Sequence, residues 1–159
     1  MMKYTDKTTG LTHFIVRLCY VLLAASVIAF PILMRASEED FYYFVMLAGH
    51  GRYLIVPYYL VVPAGYVALI CLDKILSNIK KDLVFDSRNI RLLNIITGCC
   101  LFAAAVGLVS YVVIALIYQS IETVFLLAAG EAFMALVVRV VRNVLKKAIV
   151  IKEENDLVV

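Results

Sequence analysis

One acidic side chain lies where the sequence is otherwise most apolar. Glu131 stands in the stretch FLLAAGEAFMALVV, about ten residues into an apolar segment, or roughly 15 Å along a helix. A carboxylate at that depth in a membrane is costly, and it normally faces other helices, where it is neutral or paired. Two interpretations follow. Either Glu131 serves a proton or cation relay or a substrate contact, or it is a structural residue hydrogen-bonded to Ser110, Tyr111 or Ser26.

The other reactive residue types are isolated. His13 and His50 are far apart, and the four cysteines lack the paired spacing that holds zinc (Cys19, Cys71, Cys99 and Cys100). We expect each histidine to be an interfacial hydrogen-bonding residue. An enzyme would need paired carboxylates, a nucleophile with a base, or a metal cluster. The sequence therefore predicts no enzyme, no cofactor and no metal.

The composition predicts the elements that carry these residues. Of 159 residues, 64% are hydrophobic and 17% are charged, which is too apolar for a soluble domain. The apolar residues form four blocks, each near the ~20 residues that span a bilayer, at about 14–34, 53–72, 95–118 and 121–141. We predict an all-α membrane protein in one domain, 1–159. It is a four-transmembrane-helix bundle with a hairpin at 73–94 and a tail at 142–159.

Charge predicts the orientation. Thirteen of the 15 lysines and arginines lie before or early in the first block, in the hairpin, or from Arg139 onward at the end of the fourth block and in the tail. By the positive-inside rule both termini are cytoplasmic, and we predict a multi-pass protein of the cytoplasmic (inner) cell membrane. The stretch EEDFYYFVMLAG on the other side is too short to span. We expect a short outer-leaflet helix or re-entrant turn there, with an ordered loop as the alternative.

The hairpin sequence VFDSRNIRLLNII carries helix-start signals. Asp86 is a good N-cap, and Phe85 with Ile90 has the spacing of a hydrophobic staple. Asn89 falls in the first turn, where its side chain can bond back to the loop. Before this stretch, apolar residues continue beyond the second block at helical spacing, so that helix is expected to extend past the membrane.

Two short motifs carry a family resemblance. FDSRNIRLLNII and the terminal EENDLVV resemble the bacterial family catalogued as domain of unknown function 2975, the YoaS-like small four-span membrane proteins. The positions that match this pattern form the candidate cytoplasmic interaction face: Phe85, Asn89, Arg91, Leu93, Glu154, Asn155, Asp156 and Leu157. Val159, in the tail, also matches the pattern. Val84 departs from it where a Pro is common, and Val158 departs where a Thr is usual.

The resemblance implies a function only indirectly, because the family has no established activity. Its genes often lie beside the gene of a very small helix-turn-helix DNA-binding protein. The chain is therefore predicted to be a non-enzymatic regulator or binding partner of such a cytoplasmic protein, without direct nucleic-acid binding and with the lipid bilayer as its other partner. The alternative is a small transporter or channel component that uses Glu131, with Tyr111 and Ser110 as its polar neighbours.

The tail has two interpretations. The acidic residues of KEENDLVV could fold back onto the hairpin, where Lys80, Lys81, Arg88 and Arg91 offer partners for Glu153, Glu154 and Asp156. Alternatively, a free carboxyl end could add a strand to a partner or enter a pocket on it. We favour the fold-back, and the two are compatible if a partner opens this contact.

Overall fold

Four long helices make up the part of the chain that the structure describes. In this computed structural model the described residues are 2–36, 51–81, 83–117 and 122–156. The helices are α1 Met2–Ala36, α2 Gly51–Lys80, α3 Ser87–Ile117 and α4 Glu122–Asp156. The stretch predicted as an outer-leaflet helix or re-entrant turn, and Leu157 with the two last residues, lie outside the described residues.

Each helix is long and apolar enough to cross a bilayer. The qualifying segments are Gly10–Ile32, Ile55–Lys80, Ser87–Leu116 and Val124–Asn155, with mean hydropathies of 2.0 to 2.5. Their surfaces are dominated by exposed aliphatic and aromatic side chains, as expected where lipid is the solvent. The prediction of an all-α protein with four membrane-spanning helices is confirmed, and this is a multi-pass membrane protein.

The helices pack in chain order. In the described residues α1 packs on α2, α2 on α3, and α3 most extensively on α4, whereas α1 and α4 barely touch. The bundle is therefore open along one side. We call the end that holds the α2–α3 turn the hairpin end; the start of α1 and the end of α4 lie there too.

Small residues allow the close approach of α3 and α4. A Cβ added at Gly107 would lie 3.0 Å from Ala128 Cβ and 3.5 Å from Ala128 Cα. Ala104, Ala128 and Ala135 are each at most 4% exposed. Association in lipid depends on such packing, since burying apolar surface from lipid gains little.

Side-chain hydrogen bonds join α1 to α2 at two levels. Toward the end opposite the hairpin end Ser26 Oγ and Tyr58 Oη lie 2.7 Å apart, and the Tyr58 ring stacks on Phe30 with centroids 4.1 Å apart. At the hairpin end His13 Nδ1 lies 3.2 Å from Asp73 Oδ1. His13 is thus a hydrogen-bonding residue at the end of its span, as the sequence predicts.

The tail differs from the fold-back hypothesis. α4 continues for 35 residues to Asp156, roughly 50 Å, which exceeds the length needed to span hydrocarbon. No proline or glycine follows Gly130 to end the helix, so the tail does not reverse before Asp156. In the described residues the ion pairs are His13–Asp73 and Arg88–Asp86, and neither involves Glu153 or Glu154.

Candidate functional sites

The α2–α3 turn is built by two capping residues. At the start of α3, Asp86 Oδ1 accepts a hydrogen bond from the backbone N–H of Arg88 at 2.8 Å, and Asp86 O accepts from the N–H of Asn89 at 3.0 Å. At the end of α2, the carbonyl of Asn78 accepts from the N–H groups of Lys81 and Leu83, at 3.1 and 3.0 Å. Asp86 is therefore the N-cap that the sequence predicts.

Asn89 fixes the turn from inside. Its side chain is 2% exposed, and its Nδ2 donates to the carbonyls of Leu83 and Val84 at 2.9 and 3.0 Å. Its Oδ1 accepts a hydrogen bond from Asn78 Nδ2 at 2.8 Å. One buried amide thus bonds the loop on one side and α2 on the other, and a fully satisfied polar network of this kind specifies a single conformation.

The fixed turn presents an exposed aromatic ring to the end of α4. Phe85 is 47% exposed and Leu83 is 45% exposed. Lys152 Nζ lies 5.6 Å from the centre of the Phe85 ring, within the range of a cation–π contact. Leu83, Phe85, Asp86, Ser87 and Lys152 line an open cavity of about 280 Å³. We call these five residues the hairpin surface.

The residues predicted for the interaction face fall into three groups. Phe85, Arg91, Glu154 and Asn155 are exposed. Asn89 is buried and Leu93 is half-buried. Asn89 therefore does not form part of an interaction surface; it holds in place the turn that carries the hairpin surface. Asp156 is the last residue of α4.

Sequence reasoning missed several residues that build this end of the molecule. In the sequence Lys152 is only one of the cations of the tail, and nothing indicates that the side chains of Asn78 and Asn89 form a hydrogen bond. In the sequence Arg142 is only one of the cations that follow the fourth block, whereas in the structure its Nη1 donates to Asn94 Oδ1 on α3. Polar amides near helix ends were the available signal, because amides there often bond across a turn.

A second cavity has Glu131, an exposed residue of α4, on its wall. Its volume is about 280 Å³, and its walls come from all four helices. They include Phe30 of α1, Tyr58 of α2, Ser110 and Gly107 of α3, and Ala128 and Glu131 of α4. We call this space the acid cavity; Glu131, Ser110 and Tyr58 are its polar residues. Tyr111 does not line it, and its ring lies 5.5 Å from that of Phe125.

The predicted hydroxyl partners of Glu131 are bonded elsewhere. Ser110 Oγ donates to the carbonyl of Val106 at 2.7 Å, and Ser26 bonds Tyr58 and the carbonyl of Leu23. In the described part of the chain, the hydrogen bonds and ion pairs include none to the Glu131 carboxyl. The hydroxyl partner expected for Glu131 is therefore absent from the hydrogen bonds of the described residues.

Comparison with known proteins bears on the hairpin end and on α2 to α4. The family model described as "Protein of unknown function (DUF2975)" matches residues 36–159, which includes both short motifs and leaves most of α1 outside. No curated protein and no solved structure matches the chain. Because the family model covers well over half of its length, the chain belongs to the DUF2975 family of proteins of unknown function.

Proposed function

We propose that this protein is a non-enzymatic membrane regulator that binds a small cytoplasmic protein at the hairpin surface. One observation carries the proposal: the first motif behind the family resemblance contacts the residue that directly precedes the second motif, more than 60 residues away in sequence. The Phe85 ring of the first lies 5.6 Å from Lys152 Nζ, one residue before the acidic end of α4. The contact between Phe85 and Lys152 is not needed for membrane insertion, because α3 and α4 are long and apolar enough to span a bilayer without it.

The shape and chemistry of the hairpin surface support protein binding. Half-exposed Phe85 and Leu83 stand on a turn that Asn89 holds rigid. Aromatic anchors on a preorganised scaffold contribute most of the energy in many interfaces, because little conformational entropy is lost on binding. The cavity beside Lys152 offers a polar recess next to this apolar anchor.

The charge distribution supports a cytoplasmic location for this end. The hairpin and the end of α4 are both rich in lysine and arginine, and the structure brings them to one end with the start of α1. The positive-inside rule favours the cytoplasm for that end, with the inner membrane of a bacterium as the location. A partner of the helix-turn-helix class is the one that the family resemblance implies.

Removing the apolar anchor tests this function. We expect Phe85→Ala to reduce at least tenfold the amount of partner that co-purifies with the full chain, because buried aromatic anchors often contribute 2 kcal/mol or more. Deleting residues 153–159 is expected to have a comparable effect. The probe is the small helix-turn-helix protein that the family's gene neighbourhood implies, expressed together with the chain and quantified by immunoblot.

The matched control is Phe133→Ala, because Phe133 is 63% exposed on α4 but lies within the span. That variant should retain the partner fully, and all variants should insert into the membrane equally. Undiminished co-purification with both Phe85→Ala and the truncated chain would refute the hairpin surface as the binding site.

Transport through Glu131 is the second candidate function. The observation that favours it is the acid cavity, in which the carboxyl has no partner among the described residues. In that case Glu131→Gln should abolish a cation flux in proteoliposomes. A flux that is the same with Glu131→Gln would remove the candidate.

A further inference from the structure

The acid cavity has the composition of a site for one type of ligand. Apart from Glu131 and the hydroxyl groups of Ser110 and Tyr58, its walls are apolar. The two aromatic side chains on the wall, Phe30 and Tyr58, stack with their ring centres 4.1 Å apart. A single carboxyl beside aromatic rings in an apolar space suits one positive charge on a largely apolar body, because such rings attract cations, ammonium groups among them.

The lack of a partner for the Glu131 carboxyl among the described residues favours a cationic ligand. Glu131 lies seven residues after Val124, where the spanning segment of α4 begins, and it is exposed at the edge of the cavity. It has no hydrogen bond or ion pair within the described residues, while Ser110 bonds Val106 and Tyr58 bonds Ser26. An unpaired carboxylate is costly inside a membrane. A bound cation would provide the pairing that the protein itself does not.

The open side of the bundle gives a route of entry. α1 and α4 both contribute to the cavity wall, through Phe30 and Glu131, but these two helices barely touch. An amphiphile in the lipid can therefore enter sideways between them without crossing the bilayer. We infer that the acid cavity binds an amphiphile that carries a single ammonium charge and an alkyl tail, with the charge on Glu131 and the tail in the apolar gap between α1 and α4.

The inference is independent of the hairpin surface and requires no translocation. The probe is radiolabelled dodecyltrimethylammonium, added to the full chain in phosphatidylcholine nanodiscs, with empty nanodiscs subtracted. We expect saturable binding to the unmodified protein and at least a tenfold weaker affinity with Glu131→Gln, which removes the charge and preserves the shape. Glu154→Gln, at an exposed position of the tail, should bind like the unmodified protein.

A second pair of variants tests the position of the site without altering charge. Ala103→Leu adds bulk to the wall of the acid cavity and should also weaken binding. Ala105→Leu, on the wall of the adjoining groove between α2 and α3 but not of the acid cavity, should leave binding unchanged. Size-exclusion profiles check that each variant is folded. Equal affinities for Glu131→Gln and Glu154→Gln, or no saturable binding above empty nanodiscs, would overturn the inference.

Discussion

An Asn89→Ala chain is expected to lose the defined structure of the α2–α3 turn. The change removes three hydrogen bonds, two to the carbonyls of Leu83 and Val84 and one from Asn78. Each buried polar group left unpaired costs about 1–3 kcal/mol. Because water can reach part of the loop and reduce this cost, we expect the local stability of the turn to fall by about 2–4 kcal/mol. Backbone hydrogen exchange across residues 83–89, followed by mass spectrometry, should accelerate at least tenfold.

Two further variants separate hydrogen bonding from side-chain volume. Asn89→Asp keeps the size of the side chain but loses both N–H donors, and it should accelerate exchange about as much as Asn89→Ala. Asn155→Ala, at an exposed position of α4, should have no effect on the turn. The role assigned to Asn89 would be wrong if exchange at 83–89 stayed at the level of the unmodified chain. The hairpin surface would then lack the rigid support on which the proposed function depends.

Gly107→Leu is expected to separate α3 from α4. Even a single Cβ at this position would lie 3.0 Å from Ala128 Cβ, and the backbone of Ala128 is only 3.5 Å away. A leucine side chain cannot fit without moving one helix, and overpacking costs typically 1–3 kcal/mol, with larger values where backbone must shift. We expect the thermal unfolding midpoint in detergent to fall by several degrees. It is measured with a dye that becomes fluorescent on reacting with cysteine thiols exposed by unfolding, because the chain has no tryptophan.

The matched control lies on the same helix. Gly98→Leu introduces the same side chain where a Cβ would have no neighbour within 4 Å, so its unfolding midpoint should match or exceed that of the unmodified chain. Equal midpoints for the two leucine variants would show that α3 and α4 do not approach at Gly107. The acid cavity, whose wall includes Gly107 and Ala128, would then need a different description.

Much of the fold follows from the sequence for simple physical reasons. Blocks of about 20 apolar residues form spanning helices because lipid cannot hydrogen-bond the backbone. The start of α3 was predictable because an N-cap preference is local: Asp86 and Asn89 lie within four residues of each other.

What the sequence could not predict depends on long-range geometry. The contact of Lys152 with Phe85 requires α4 to continue as a helix well past the membrane, whereas its acidic end favoured a reversal onto the cationic hairpin. Helix propensity prevailed over those exposed ion pairs, which contribute little in water. The sequence also could not show that Glu131 has no hydroxyl partner among the described residues. Ser110 and Ser26 form hydrogen bonds with other groups instead.

We propose that the hairpin turn and the end of α4 form one surface on the cytoplasmic side of the membrane. The most direct measurement is thiol labelling of Phe85→Cys and Lys152→Cys, each made in a background whose four native cysteines are replaced by alanine. A membrane-impermeant maleimide is applied to intact spheroplasts and to inside-out vesicles. Both positions should be labelled in inside-out vesicles and protected in intact spheroplasts. Labelling of either position in intact spheroplasts would contradict the account.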